Sequence, residues 1–151
     1  MSAFQTVSGA FLVACACPLA GCDPGVHVAW EKDFDSAIDP DCVEQALRMV
    51  APDVTRTAYV DDGHSTRGFT QGVTVTQFNY RDPAFIGYYS LDIARLPNGK
   101  THYWHGWGKL GTDVPPDEQA KIVPLLNRAN HTVALRCGLS FAGTGPREGA
   151  G

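Results

Sequence analysis

The chain has 151 residues, 44% of them hydrophobic and 19% charged, and a formal net charge of −4. These values describe one ordinary soluble domain and exclude a membrane bundle. With 12 Lys and Arg against 16 Asp and Glu, the balance also argues against nucleic acid as a partner, because neutralising phosphates takes a basic face.

The first 21 residues carry no Lys, Arg, Asp or Glu. The apolar run Gly9–Ala20 is too short to span a bilayer, which takes about 20 apolar residues, and has the length of a signal-peptide hydrophobic region. It ends in Leu19-Ala20-Gly21-Cys22: a branched apolar residue, two small residues, then cysteine. This pattern resembles the signal peptides of bacterial lipoproteins. The resemblance implies that residues 1–21 are removed and that Cys22 is acylated and anchors the mature chain at the periplasmic face of the inner or outer membrane. Asp23, beside the anchor, resembles an inner-membrane retention signal, a rule that varies between bacteria.

The odd count of five cysteines then resolves. If residues 1–21 are removed, Cys15 and Cys17 leave with them and Cys22 carries lipid, so Cys42 and Cys137 remain in an oxidising compartment, where they read as a disulfide, the alternative being two separately buried thiols. A disulfide between them closes a loop of roughly 95 residues, for which the chain-entropy model gives about 4–5 kcal/mol.

Residues 22–38 read as a tether, with Val26–Trp30 either a short edge strand or the end of a linker. Asp39-Pro40-Asp41 starts a helix: an acceptor side chain at the cap, a proline where its missing N–H costs nothing, and an acid at the positive end of the dipole. Val43, Ala46, Leu47 and Val50 share one face, and Pro52 stops the helix. Val54 to about Asp61 alternates as a strand and reaches the turn Asp61-Asp62-Gly63. A second strand lies within Thr66–Arg81, richest in β-formers from Val73 to Tyr80. The third, Phe85–Arg95, has Phe85, Tyr89, Leu91 and Ile93 on its apolar face, with Ser90 and Asp92 on the other. Asn98-Gly99 supplies the two positive-φ residues of a tight hairpin, so Thr101–Leu110 returns antiparallel. From Pro115 to Cys137, Ile122, Leu126, Ala129, Val133 and Cys137 form a helical stripe, kinked or restarted at Pro124. Residues 140–151 lack core formers and read as a disordered tail.

These elements predict one α+β domain over 39–139. It is a two-layer α-β-β-β-β-α sandwich: a four-stranded antiparallel meander covered on one face by two helices. With the helices antiparallel, Cys42 in the first turn of one meets Cys137 in the last turn of the other.

The segment Thr101–Leu110 holds two of the five histidines and two of the three tryptophans. Alternation puts Tyr103, His105 and Trp107 on one face and His102 and Trp104 on the other, so the two histidines make a poor metal pair. Tyr103, Trp104, His105 and Trp107 read either as a protein-binding platform or as an aromatic core strand. Gly63-His-Ser65-Thr-Arg67 has arginine where a nucleophile elbow needs its second glycine, and Ser65 reads as a turn serine. No phosphate-cradling loop, zinc-like cysteine cluster or HExxH occurs, so no catalytic residue, metal or cofactor is assigned. The function expected is a lipid-anchored, non-enzymatic protein-binding module, such as an inhibitor or a toxin-immunity protein. The alternative is a small periplasmic hydrolase using His105 or His64 with an aspartate.

Overall fold

In the computed structural model, residues 26–81, 87–108, 116–143 and 147–148 are described. Residues 1–21, expected to be a signal peptide, and Cys22 lie outside them. Each punctuation mark around the first helix does what its chemistry dictates. Asp39 is extended (φ −74°, ψ 116°), its carboxylate accepts the Asp41 N–H at 2.9 Å, and Pro40 opens α1 (Pro40–Arg48). The second helix, α2 (Pro116–Cys137), runs through Pro124 as one element. Ile122, Leu126, Ala129 and Val133 are buried along its inner face.

The long strands are β1 (Val26–Phe34), β2 (Val54–Val60), β3 (Thr74–Tyr80), β4 (Tyr88–Arg95) and β5 (Thr101–Gly108). Every pairing is antiparallel, in the order β2-β3-β4-β5-β1, and the two-residue β6 (Arg147–Glu148) lies outside β1. The fold is therefore α+β, with the helices on one face, but the four-stranded meander becomes a sheet of five long strands.

The added strand comes from the segment expected to be a tether. Trp30 pairs with His105 and Phe34 with Thr101, so residues 26–34 belong to the folded body. The expected tail also departs from a structureless chain. Phe141 packs edge-on against Phe34 and Tyr103, with centroids 5.3 and 5.1 Å apart, Lys32 Nζ donates to Ser140 O at 2.8 Å, and residues 147–148 pair with β1.

The β4–β5 turn is looser than a two-residue hairpin. Leu96 N donates to Lys100 O at 2.8 Å, and only Gly99 has positive φ, 83°. Asn98 instead accepts the Lys100 N–H through its side chain at 2.9 Å. One left-handed residue closing a three-residue loop is the bulged hairpin, and it asks for one glycine, not two positive-φ positions.

Strand register divides the sheet into two faces. On the helix side lie Val28, Trp30 and Phe34, with Tyr103, His105 and Trp107, Tyr89, Leu91 and Ile93, and Phe78 and Tyr80. Cys42 and Cys137 bridge the start of α1 to the end of α2, with Cα atoms 5.8 Å apart. Arg136 Nη2 donates to Gln45 Oε1 beside the bridge at 2.6 Å.

Candidate functional site on the open sheet face

The second face is built from rows of residues that register brings side by side. One row is Thr57, Gln77, Asp92, Trp104 and Glu31; the next is Thr55, Asn79, Ser90, Gly106 and Ala29. The loop after β2 folds over this face, seating Phe69 and Val73 against Val75, Ala94 and Trp104. It also places Arg67 above the middle of the sheet.

Asp92 is fully buried and needs countercharge. Arg67 Nη1 supplies it at 2.5 Å, Ser90 Oγ donates to the other carboxylate oxygen at 2.8 Å, and Tyr59 OH donates at 3.3 Å. Burial, with the Asp92 charge beside it, pushes the Tyr59 phenol well above its usual value, so the hydroxyl remains a donor. The Arg67 guanidinium also lies 4.5 Å from the Trp104 ring centroid, a cation–π contact. Trp104 in turn packs closely on Gly106, where a Cβ would come within 2.5 Å of the indole. Arginine and indole thus pack together over the glycine, fixed at one end by a buried carboxylate.

The loop is pinned a second time. His102 Nε2 donates to the Arg67 carbonyl at 2.9 Å, and Nδ1 meets Asp33 Oδ1 at 2.6 Å. With both ring nitrogens engaged and the ring buried, His102 is a strut between β1 and the loop. It has no ring nitrogen left for a base.

Beyond this cluster the face opens into a cleft of about 590 Å³ lined by Asp53, Thr55, Arg67, Gln77, Asn79, Arg81 and Tyr88. Asn79 Nδ2 donates to Gln77 Oε1 at 3.0 Å, orienting both amides. A smaller hollow of about 360 Å³, also touching Arg67 and Gln77, is lined by Asp61, Asp62, His64 and Ser65. There Asp61, Asp62 and Ser65 accept the backbone N–H of Gly63, His64 and Arg67 respectively. They act as turn residues.

The aromatic segment occupies both layers. Tyr103, His105 and Trp107 are fully buried beneath the helices, and Trp104 is buried under Arg67. No ring of the four forms an exposed platform. His105 faces an amide where the hydrolase alternative wanted an aspartate: Nδ1–H donates to Asn130 Oδ1 at 2.7 Å, Nε2 accepts from Tyr80 OH at 2.8 Å, and Tyr103 OH donates to the same Asn130 oxygen at 2.5 Å. Burial lowers the His105 pKa to about 4, against a smaller opposing effect of the Asn130 contact. The ring is neutral and enclosed.

Sequence reasoning singled out none of Arg67, Gln77, Asn79 or Arg81. Their available signal was polar alternation, Gln77 and Asn79 on one strand and Ser90 and Asp92 on the next. Among the described residues no group of three or more His, Cys, Asp or Glu side chains is arranged to hold a metal. No protein-family model and no curated protein matches this chain.

Proposed function

We propose that the mature chain is held at the bacterial envelope by acylated Cys22 and that its open sheet face binds another protein, as an inhibitor or toxin-immunity lipoprotein would. The reading is supported above all by the fixed Arg67. Its guanidinium is held by Asp92 and Trp104 before any partner arrives, so little ordering entropy is spent on contact. Gln77 and Asn79 line the same cleft as oriented amides, and Arg81 adds a second guanidinium at its exposed rim. The complementary surface is a protein loop carrying a carboxylate and backbone amides. Among the described residues no helix is long and apolar enough to cross a membrane; in this reading the lipid makes the attachment.

The test is crosslinked co-purification from membranes expressing the wild-type chain, Arg81→Ala and Asn79→Ala. A protein retained by the first and lost from the others supports the reading. A partner retained equally by all three, or turnover of a small molecule with no partner, overturns it. Mass spectrometry of the membrane fraction should find the N-terminus at acylated Cys22, and a Cys22→Ala chain still held in the membrane would refute the anchor.

A further inference from the structure

β2 is an edge strand of seven residues in unbroken register with β3. Among the described residues no strand pairs with its outer side. Sheet edges are ordinarily blunted by a bulge, a proline or an outward charge, and Val54-Thr-Arg-Thr-Ala-Tyr-Val60 has no bulge and no proline. Its one charge is neutralised at the surface of α1: Arg56 Nη1 lies 2.6 Å from Asp41 Oδ1 and 3.4 Å from Glu44 Oε2.

The backbone groups of alternate β2 residues face outward. Asp61 N donates to Val73 O at 2.9 Å and Asp61 O accepts from Gly72 at 2.7 Å, so Asp61 directs its groups towards the β3 side. Antiparallel pairs alternate, so Thr55, Thr57 and Tyr59 also point at β3, while Val54, Arg56, Ala58 and Val60 point away. Arg48 Nη2, donating to Val54 O from outside the ladder at 3.2 Å, agrees with this phase.

We propose that this edge pairs with the same edge of a second copy, antiparallel about a two-fold axis through Thr57. Only this register sets all four outward residues opposite one another, Val54 with Val60 and Arg56 with Ala58 of the other copy; the Val54 carbonyl, which accepts from Arg48, has its second lone pair for the Val60 N–H. Thr57 then faces Thr57, and Thr55 faces Tyr59, on the open side. Both are favourable cross-strand pairs, with no like charges directly opposed. Centring on Arg56 would oppose two guanidiniums, and centring on Ala58 would pair Val54 with Asp62 beyond the strand. The chosen register also covers Val60, which is 63% exposed. The product is one continuous sheet whose two polar clefts lie on the same side. A seven-residue edge is a small interface, so the dimer is a weak, reversible one.

Facing residues in a non-hydrogen-bonded antiparallel pair have Cα atoms about 4.5 Å apart, within disulfide reach. Mild oxidation of the full-length Thr57→Cys chain should therefore give a dimer linked through position 57, identified by peptide mass spectrometry. Thr55→Cys should not link, because two copies of position 55 sit roughly 13 Å apart in this register. Adding Ala58→Pro to Thr57→Cys should cut the dimer yield roughly thirtyfold, since two hydrogen bonds are lost per dimer. The Ala58 N–H lies outside the β3 ladder, so the circular dichroism of the monomer should be unchanged. Failure of Thr57→Cys to link, equal linking of Thr55→Cys, or linkage of position 57 to a different protein overturns the proposal.

Discussion

His105 sits between Tyr80 and Asn130 with both ring nitrogens committed, its pKa lowered from 6.5 to about 4 by burial. In the unfolded chain it titrates near 6.5. Between those two values the unfolded state binds a proton that the folded state refuses, so stability falls as pH falls. The stabilisation is fully present above about pH 6.5 and is lost progressively down to about pH 4. At about 1.36 kcal/mol per pKa unit the whole window is worth about 3 kcal/mol, of which about 2 kcal/mol is gone at pH 5. Carboxylates titrate in part of the same range, so the quantity to measure is a difference. Urea unfolding of the wild-type chain and of His105→Gln, at half-unit steps from pH 4 to pH 7.5, should give stability gaps that shrink as the pH is lowered. A gap constant with pH would refute the buried neutral ring. If His105→Gln does not fold, nitrogen-detected NMR of the wild-type ring decides instead: the Nδ1–H tautomer should persist to pH 5, and protonation near 6.5 would sink the argument.

Arg67→Ala leaves the fully buried Asp92 without its cation and should destabilise the fold by about 3–5 kcal/mol in urea titrations, the cost of breaking a buried pair from one side; a loss below about 1 kcal/mol would show that the fold does not depend on the pair. Arg81→Ala, on the exposed rim of the same cleft, should change stability by less than about 0.5 kcal/mol, which separates its proposed binding role from any folding role. Gly106→Ala forces Trp104 off the strand and should cost about 1–3 kcal/mol, with a shift in tryptophan fluorescence as the indole leaves the arginine. Cys42→Ser removes the bridge between residues 95 apart and should lower stability by up to about 4–5 kcal/mol, with the free Cys137 thiol appearing on titration with a thiol reagent.

Signals confined to a few residues were legible in the sequence. The Asp39-Pro40 helix start, the stripe from Ile122 to Val133 and the turn at Asn98-Gly99 all depend on near neighbours. The Cys42–Cys137 bridge was reachable because compartment logic left only two thiols and the helices placed them at adjoining ends. β1 was hidden for a physical reason. Its core face is interrupted by Lys32, whose ammonium reaches Ser140 O, and its pairing partner lies about seventy residues downstream. The aromatic segment showed the alternation of its faces but not the cover on each. Only the register of four strands reveals that Asp92, Trp104 and Gln77 share a row, and only the fold of the 61–73 loop reveals that Arg67 lies over it.

Arg67 also limits how the cleft can be used. Asp92 is inaccessible, and an unpaired carboxylate there is costly, so a partner cannot draw the guanidinium away from it without opening the loop. Opening the loop breaks the His102 contact to the Arg67 carbonyl and uncovers Trp104. In the proposed reading a partner must therefore bind against Arg67 as a fixed wall, using whichever N–H groups remain directed at the cleft. Its discriminating contacts fall to the residues around that wall: Arg81, Asn79 and Thr55. Affinity in the proposed reading then depends on the rim, while the arginine at the centre sets its shape.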